Sequence, residues 1–365
     1  MADVTIRGAA EVPGSGHYVK TLDGLRAVSI VGVMISHAVD PFRHPLLASL
    51  GHTGVLIFFA ISGYLITTRL MEEHRKTGGI SLRDFYVRRA FRILPPALLY
   101  LATVYVMARA GLLACSLPDI KSAALLYINY LRVGDEGWRV GHFWSLSVEE
   151  HFYLVWPALL AWVGVKRGAR AALVAALFIG AWRIVDNRFH LVAALLPGQG
   201  TDPIPYRTDL IADALFWGCC LAFVVGARKW EIGPVASNVI AVGALGMLVA
   251  LVFRHVNHVA FLVHFLPVVM LGAIVVAPGS PIGKLLELAP LRMIGRLSYS
   301  LYIWQQLFLG GPNPKLLPLP WSFGAVFCFA VVSYSLVERP SIKLGRRFAG
   351  APHVAASPAL PTVGA

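Results

Sequence analysis

Long apolar runs recur along the chain and are broken by short polar stretches. Runs near 22–40, 54–71, 92–112, 143–165, 170–186, 208–226, 235–253, 259–277, 294–311 and 317–337 each predict a helix. Most have 17–23 residues, enough to cross a hydrocarbon core of about 30 Å. The pattern predicts an all-α, polytopic transmembrane bundle of about ten spans. Residues 120–131 are apolar but too short to span, and predict an amphipathic or re-entrant piece. The expected division is a cytosolic arm over 1–20, a membrane domain over 21–345 and a disordered, Ala- and Pro-rich cytosolic tail over 346–365.

Composition agrees. Of the 365 residues 57% are hydrophobic and 14% charged, with a mean hydropathy of +0.67. That is too little polar surface for a soluble domain of this length. The net charge of +13 would suggest nucleic acid in a soluble protein. Here the basic residues fall largely in short loops, so they bear on orientation and no nucleic-acid partner is expected. With the N-terminus inside, the inner segments, counting Arg26 at their border, hold 22 of the 32 Lys and Arg residues. Both termini are therefore expected in the cytosol, with the chain multipass in the inner (plasma) membrane. No apolar signal-peptide core is visible near the N-terminus. Cys115, Cys219, Cys220 and Cys328 show no metal or redox spacing.

Charged groups inside a bilayer are costly and mark candidate functional sites. The first span carries Arg26 and His37, eleven residues apart on one helix face, about 16 Å along the axis. Counting depth along the helices places Glu149 and Asp213 in the same layer as His37. A carboxylate there would fix the tautomer of His37 or stabilise its charged form, which suits general base catalysis. Glu149 and its neighbour Glu150 point about 100° apart, so one of them at most faces His37. Arg89 and Arg92, at i and i+3 of the third span, form a fork suited to phosphates. For any one arginine the ordinary reading is lipid-headgroup anchoring. Ser62 and Gly63 read as helix packing residues. No G-x-S-x-G elbow, HExxH motif or P-loop occurs, so no serine acyl-enzyme, metal or ATP-driven pump is expected.

These residues sit in LDGLRAVSIVGVMISH (22–37), FFAISGYLI (58–66), FYVRRAFRILPP (85–96), HFWSLSVEEHFYLVWP (142–157), DALFWGCCLA (213–222), IGRLSYSLYIW (294–304) and VERP (337–340). In this order they resemble acyltransferase family 3, multipass membrane O-acyltransferases of cell-surface glycans and some secondary metabolites. The resemblance spans roughly 20–345. It implies an acyl-CoA donor, usually acetyl-CoA, taken from the cytosol, and a carbohydrate hydroxyl such as an O-antigen or exopolysaccharide as acceptor. Its Arg-x10-His pattern falls on Arg26 and His37, and its R-x-x-R pattern on Arg89 and Arg92. His37 would then be the essential histidine and the three arginines would serve the donor. Two departures stand out: Ile211 replaces an arginine found in many relatives, and Gln305 replaces a histidine after the tryptophan of the SYSLYIW segment. The expected catalytic set is His37, Glu149 and Asp213, with direct transfer or an acylated His37 both open. A transporter or flippase for a lipid-linked glycan, or acylation of a metabolite such as a macrolide, are the alternatives.

Overall fold

The structure, a computed structural model, describes residues 19–192, 204, 206–227, 230–254, 260–311 and 316–349. Among these residues there is no strand. The helices are α1 (Lys20–Ala38), α2 (Pro45–Thr77), α3 (Leu82–Arg109), α4 (Leu117–Ala124), α5 (Trp138–Gly141), α6 (Phe143–Val163), α7 (Val165–Phe189) and α8 (Thr208–Ile211). They continue with α9 (Asp213–Ala227), α10 (Pro234–Phe253), α11 (Ala260–Val276), α12 (Pro281–Leu286), α13 (Ala289–Phe308), α14 (Trp321–Ser333) and α15 (Arg339–Phe348). A π-helical turn, Tyr334–Glu338, joins the last two.

Each apolar run read from the sequence falls on a helix. Among the described residues, five helices are long and apolar enough to cross a membrane: α2, α3, α7, α10 and the stretch from Trp321 to Phe348. The apolar helices α9 and α11 are shorter. Helices α1, α6 and α13 have 19, 21 and 20 residues. They have the length, but they carry charged side chains: Asp23 and Arg26, Glu149 and Glu150, and Arg292 and Arg296. Hydropathy falls where the polar site is placed. The 120–131 stretch is short, with α4 ending at Ala124 and one 3-10 turn at Ile128–Tyr130. The expected tail begins inside α15, and residues 1–18 and 350–365 lie outside the described residues.

Helix α1 packs between α2 and α13, and α2 packs closely on α9. Small residues permit the closest crossings, as membrane helices require when no water drives them together. A Cβ on Gly63 would overlap the Leu215 carbonyl of α9, and one on Gly218 would press on the Ala60 carbonyl of α2. Gly295 of α13 lies likewise against the Asp23 carbonyl of α1.

A buried ionic centre ties α7 to α9 and α11. Arg183 Nη1 lies 2.9 Å from Asp213 Oδ1 and donates to the Leu210 carbonyl at 2.8 Å. His264 Nδ1 lies 2.6 Å from the same carboxylate oxygen. Nearby, buried Arg207 pairs with Asp186 at 2.9 Å and with Asp209 at 2.6 Å. Breaking such a pair leaves one buried charge uncompensated.

Two stability predictions arise from this packing. Gly63→Ala forces α2 away from α9 and is expected to cost about 1–3 kcal/mol. Gly79→Ala, where nothing lies within 4 Å, serves as control. Thermal unfolding in detergent checks it, and equal midpoints for the two variants would contradict the close crossing. Arg183→Leu is expected to cost about 3–5 kcal/mol by leaving buried Asp213 with His264 alone, whereas Arg188→Leu, on an exposed position, should leave the midpoint within error of the parent protein.

Candidate functional site

A cavity opens between α1, α2, α3, α6 and α13. Its walls are mainly apolar and aromatic, and four guanidiniums enter it: Arg26 from α1, Arg69 from α2, and Arg89 and Arg92 from α3. Glu149, Ser145 and Tyr153 of α6, Ser298, Tyr299 and Tyr302 of α13 and Ser62 of α2 complete its polar lining. A few convergent polar groups in an apolar wall are what a small-molecule site presents.

The sequence places these groups for local reasons. Ser81 caps α3, its hydroxyl accepting from the Asp84 N–H at 3.4 Å. From there the i, i+3 spacing turns Arg89 and Arg92 to the same side. Arg89 lies over the Tyr153 ring, 3.4 Å from its centre. Its Nη2 is 3.7 Å from Glu149 and its Nε 3.6 Å from Glu150. The Ser62 hydroxyl donates to Glu149 at 2.7 Å, so a residue read as a packing spacer also holds a carboxylate of the cavity. Arg92 feels Arg26 and Arg89 as like charges and Glu338 as the opposite one. Glu338, buried in the π turn, accepts from the Ser300 hydroxyl at 2.7 Å. The charges acting most strongly on Arg69 are Arg92, Arg89, Arg346 and Arg88, all positive. Arg26 Nε is buried and makes no hydrogen bond among the described residues. A basin with more guanidiniums than carboxylates, with the Nε donors of Arg26 and Arg89 both unused among the described residues, fits a multiply charged anion.

His37 stands apart from the lining residues of this cavity. It lies in the last turn of α1, where its Nδ1 is 2.7 Å from Gln305 Oε1 and its Nε2 is 3.4 Å from Gln306 Nε2. Trp138 meets the imidazole edge-on at 5.5 Å between ring centres. A chain of contacts links it to the cavity. Tyr302 donates to the His142 carbonyl at 2.9 Å and shares a 2.6 Å bond with Ser145, and His142 in turn binds Gln306.

The expected layer of His37, Glu149 and Asp213 is therefore not assembled as one cluster. Asp213 opens α9 facing α7 and α11, where Arg183 and His264 hold it. Glu149 is drawn to Ser62 and Arg89. A depth count leaves the rotation of each helix free, and each carboxylate faces an arginine of another helix. The hydrogen bonds of His37 go to two neutral amides. Arg26, Arg89 and Arg92 do converge on one cavity with Glu149. Sequence reasoning passed over Arg69, Tyr153, Gln306 and His142. Only the adjacent polar pair Gln305–Gln306 inside an apolar helix gave a signal for that corner.

The chain was compared with known proteins. Its residues 19–337 match the family described as "Acyltransferase domain" (Acyl_transf_3). Among curated proteins, the "Peptidoglycan O-acetyltransferase OatA" of Listeria monocytogenes is 29% identical over 370 residues, covering 91% of this chain and 57% of that protein. The "O-acetyltransferase OatA" of Staphylococcus aureus (strain NCTC 8325 / PS 47) is 29% identical over 361 residues, covering 91% and 58%. The "Putative peptidoglycan O-acetyltransferase YrhL" of Bacillus subtilis is 28% identical, covering 88% and 55%. The chain thus spans less than two thirds of the length of these relatives. No solved structure matches it. With nearly its whole helical bundle inside the match, and with Arg26, His37, Arg89 and Arg92 disposed around one interior, this membrane protein belongs to acyltransferase family 3.

Proposed function

We propose that the protein is a membrane O-acyltransferase that moves an acyl group, acetyl in the first instance, from acyl-CoA to a hydroxyl of a cell-surface glycan. The observation that carries this reading is the cavity in which Arg26, Arg69, Arg89 and Arg92 gather against Glu149. Such an excess of fixed positive charge suits the phosphates of a coenzyme A thioester, and the apolar wall suits its pantetheine arm. The three named relatives are O-acetyltransferases, two of them for peptidoglycan by name, so peptidoglycan is the first acceptor to try. O-antigens and exopolysaccharides follow. A purely proton-coupled carrier has no need of the arginine basin.

In the proposed reaction the acyl end of the donor passes Tyr302 and Ser145 toward His37. His37 Nε2 takes the proton of the acceptor hydroxyl as that oxygen bonds to the thioester carbonyl carbon. The carbon–sulfur bond breaks, and the thiolate leaves with the proton returned from Nε2. Holding both partners in one interior supplies proximity. The donor enters from the cytosolic face and the acceptor from the other, with both termini in the cytosol, as the basic residues of the loops favour. Asp213 then serves through the frame around the site, and Glu149 serves by orienting Arg89.

Acetyl-CoA consumption by the full-length protein in nanodiscs, with peptidoglycan fragments as acceptor, tests this. His37→Ala is expected to lower kcat at least 100-fold, the usual scale for removing a general base. Arg69→Gln is expected to raise the KM for acetyl-CoA about tenfold, one lost charge-assisted contact, with kcat little changed. Undiminished turnover in His37→Ala would defeat the catalytic reading, and an unchanged KM in Arg69→Gln would remove Arg69 from the donor site.

A further inference from the structure

The imidazole of His37 is bracketed by two consecutive glutamines, one at each ring nitrogen. Residues i and i+1 of a helix point about 100° apart, so Gln305 and Gln306 reach the ring from different sides. The orientation of each amide follows from one main-chain group. The backbone N–H of His142 can only donate, and it donates to Gln306 Oε1 at 3.0 Å. The other end of that amide, an NH2, is therefore the one turned to His37 Nε2, 3.4 Å away. Facing a donor, Nε2 keeps its lone pair. A neutral imidazole then carries its hydrogen on Nδ1, which donates to Gln305 Oε1 at 2.7 Å.

The backbone that carries both glutamines is itself pinned. Buried Arg139 donates from Nη1 to the Gln306 carbonyl at 3.0 Å and to the Leu307 carbonyl at 2.5 Å, in the last turn of α13. Gly310, with φ of 72°, lies directly beyond. A Cβ there would stand 2.5 Å from the His37 carbonyl oxygen and 2.8 Å from the Trp138 ring. The glycine thus lets α1, Trp138 and the end of α13 close around the histidine.

We infer that Gln305 and Gln306 lock His37 in the tautomer whose Nε2 is the base, which makes Gln305 a positioning residue of the acyl transfer. This rests on the reading of His37 as the base. The long Gln306 contact is the one an acceptor hydroxyl replaces or shares, while the short Gln305 bond persists. Because the partner of Nδ1–H is an amide, no carboxylate raises the proton affinity of the ring, and His37 returns to its neutral form after each transfer. The other titratable and charged groups of this contact network fit that view. His142 and Arg139, from α5 and its C-terminal flank, bond to Gln306, and Tyr302 of α13 bonds to the His142 carbonyl. The bonds of the ring itself go to the two glutamines.

The test is the pH profile of kcat/KM in the acetyl-CoA assay, with Gln305→Glu and Gln305→Leu. The base works unprotonated, so activity falls as pH drops through the pKa of His37. A carboxylate at 305 stabilises the imidazolium and raises that pKa, so the acid limb of Gln305→Glu is expected to move to higher pH by about one unit or more. Gln305→Leu frees the tautomer and is expected to lower kcat about tenfold or more, with the KM for acetyl-CoA within twofold of the parent. An acid limb left in place by the glutamate, or an unchanged kcat in the leucine variant, overturns the inference. If the glutamate variant does not fold, the leucine variant decides alone. Turnover that survives His37→Ala would instead remove the reading beneath it, so the two failures are distinguishable.

Discussion

Everything in the interior follows from the need to keep guanidiniums charged away from water. Arg26, Arg69, Arg89 and Arg92 share one cavity, and like charges at such range in a medium of low polarity repel strongly. The fold answers with Glu149 and Glu150 beside Arg89, the Tyr153 ring beneath it, and Glu338 opposite Arg92. Arg69 has only cations acting strongly on it. The neutralisation is incomplete on the side that faces the cavity, and this is the charge that the proposed donor's phosphates are there to meet.

Helices α1, α6 and α13 give up hydropathy to carry charged side chains, whereas α2 and α3 combine a membrane-length apolar stretch with Arg69, Arg89 and Arg92 of the site. Close crossings at Gly63, Gly218 and Gly295 then bring α2, α9, α1 and α13 near enough to shield that interior from lipid. The ionic centre of Arg183, Asp213 and His264 fastens the α7–α9–α11 side of the bundle. It lies outside the cavity lining and works through the frame.

The helices were legible because apolar runs of membrane length have few other uses. Arg26, Arg89 and Arg92 were legible because charge in a bilayer is rare and because spacings of eleven and three residues define a helix face. The partners of His37 were not. A depth count leaves helix rotation free, and Asp213, expected beside His37, faces Arg183 and His264. Gln305 and Gln306 carry no charge, and in an apolar helix they looked like departures from a pattern. Their role appears only when a backbone N–H of a distant segment fixes which way one amide points.

The central claim is that the arginine cavity and His37 are two ends of one site. The most direct measurement is a structure of the full-length protein in nanodiscs with an acetyl-CoA analogue whose thioester sulfur is replaced by methylene. The account predicts its phosphates among Arg26, Arg69, Arg89 and Arg92. It predicts the acetyl carbonyl carbon within about 6 Å of His37 Nε2, the span of two hydrogen-bond-length contacts through an intervening hydroxyl. An analogue whose phosphates lie outside the arginine cavity, or whose acetyl group points away from His37, would contradict it.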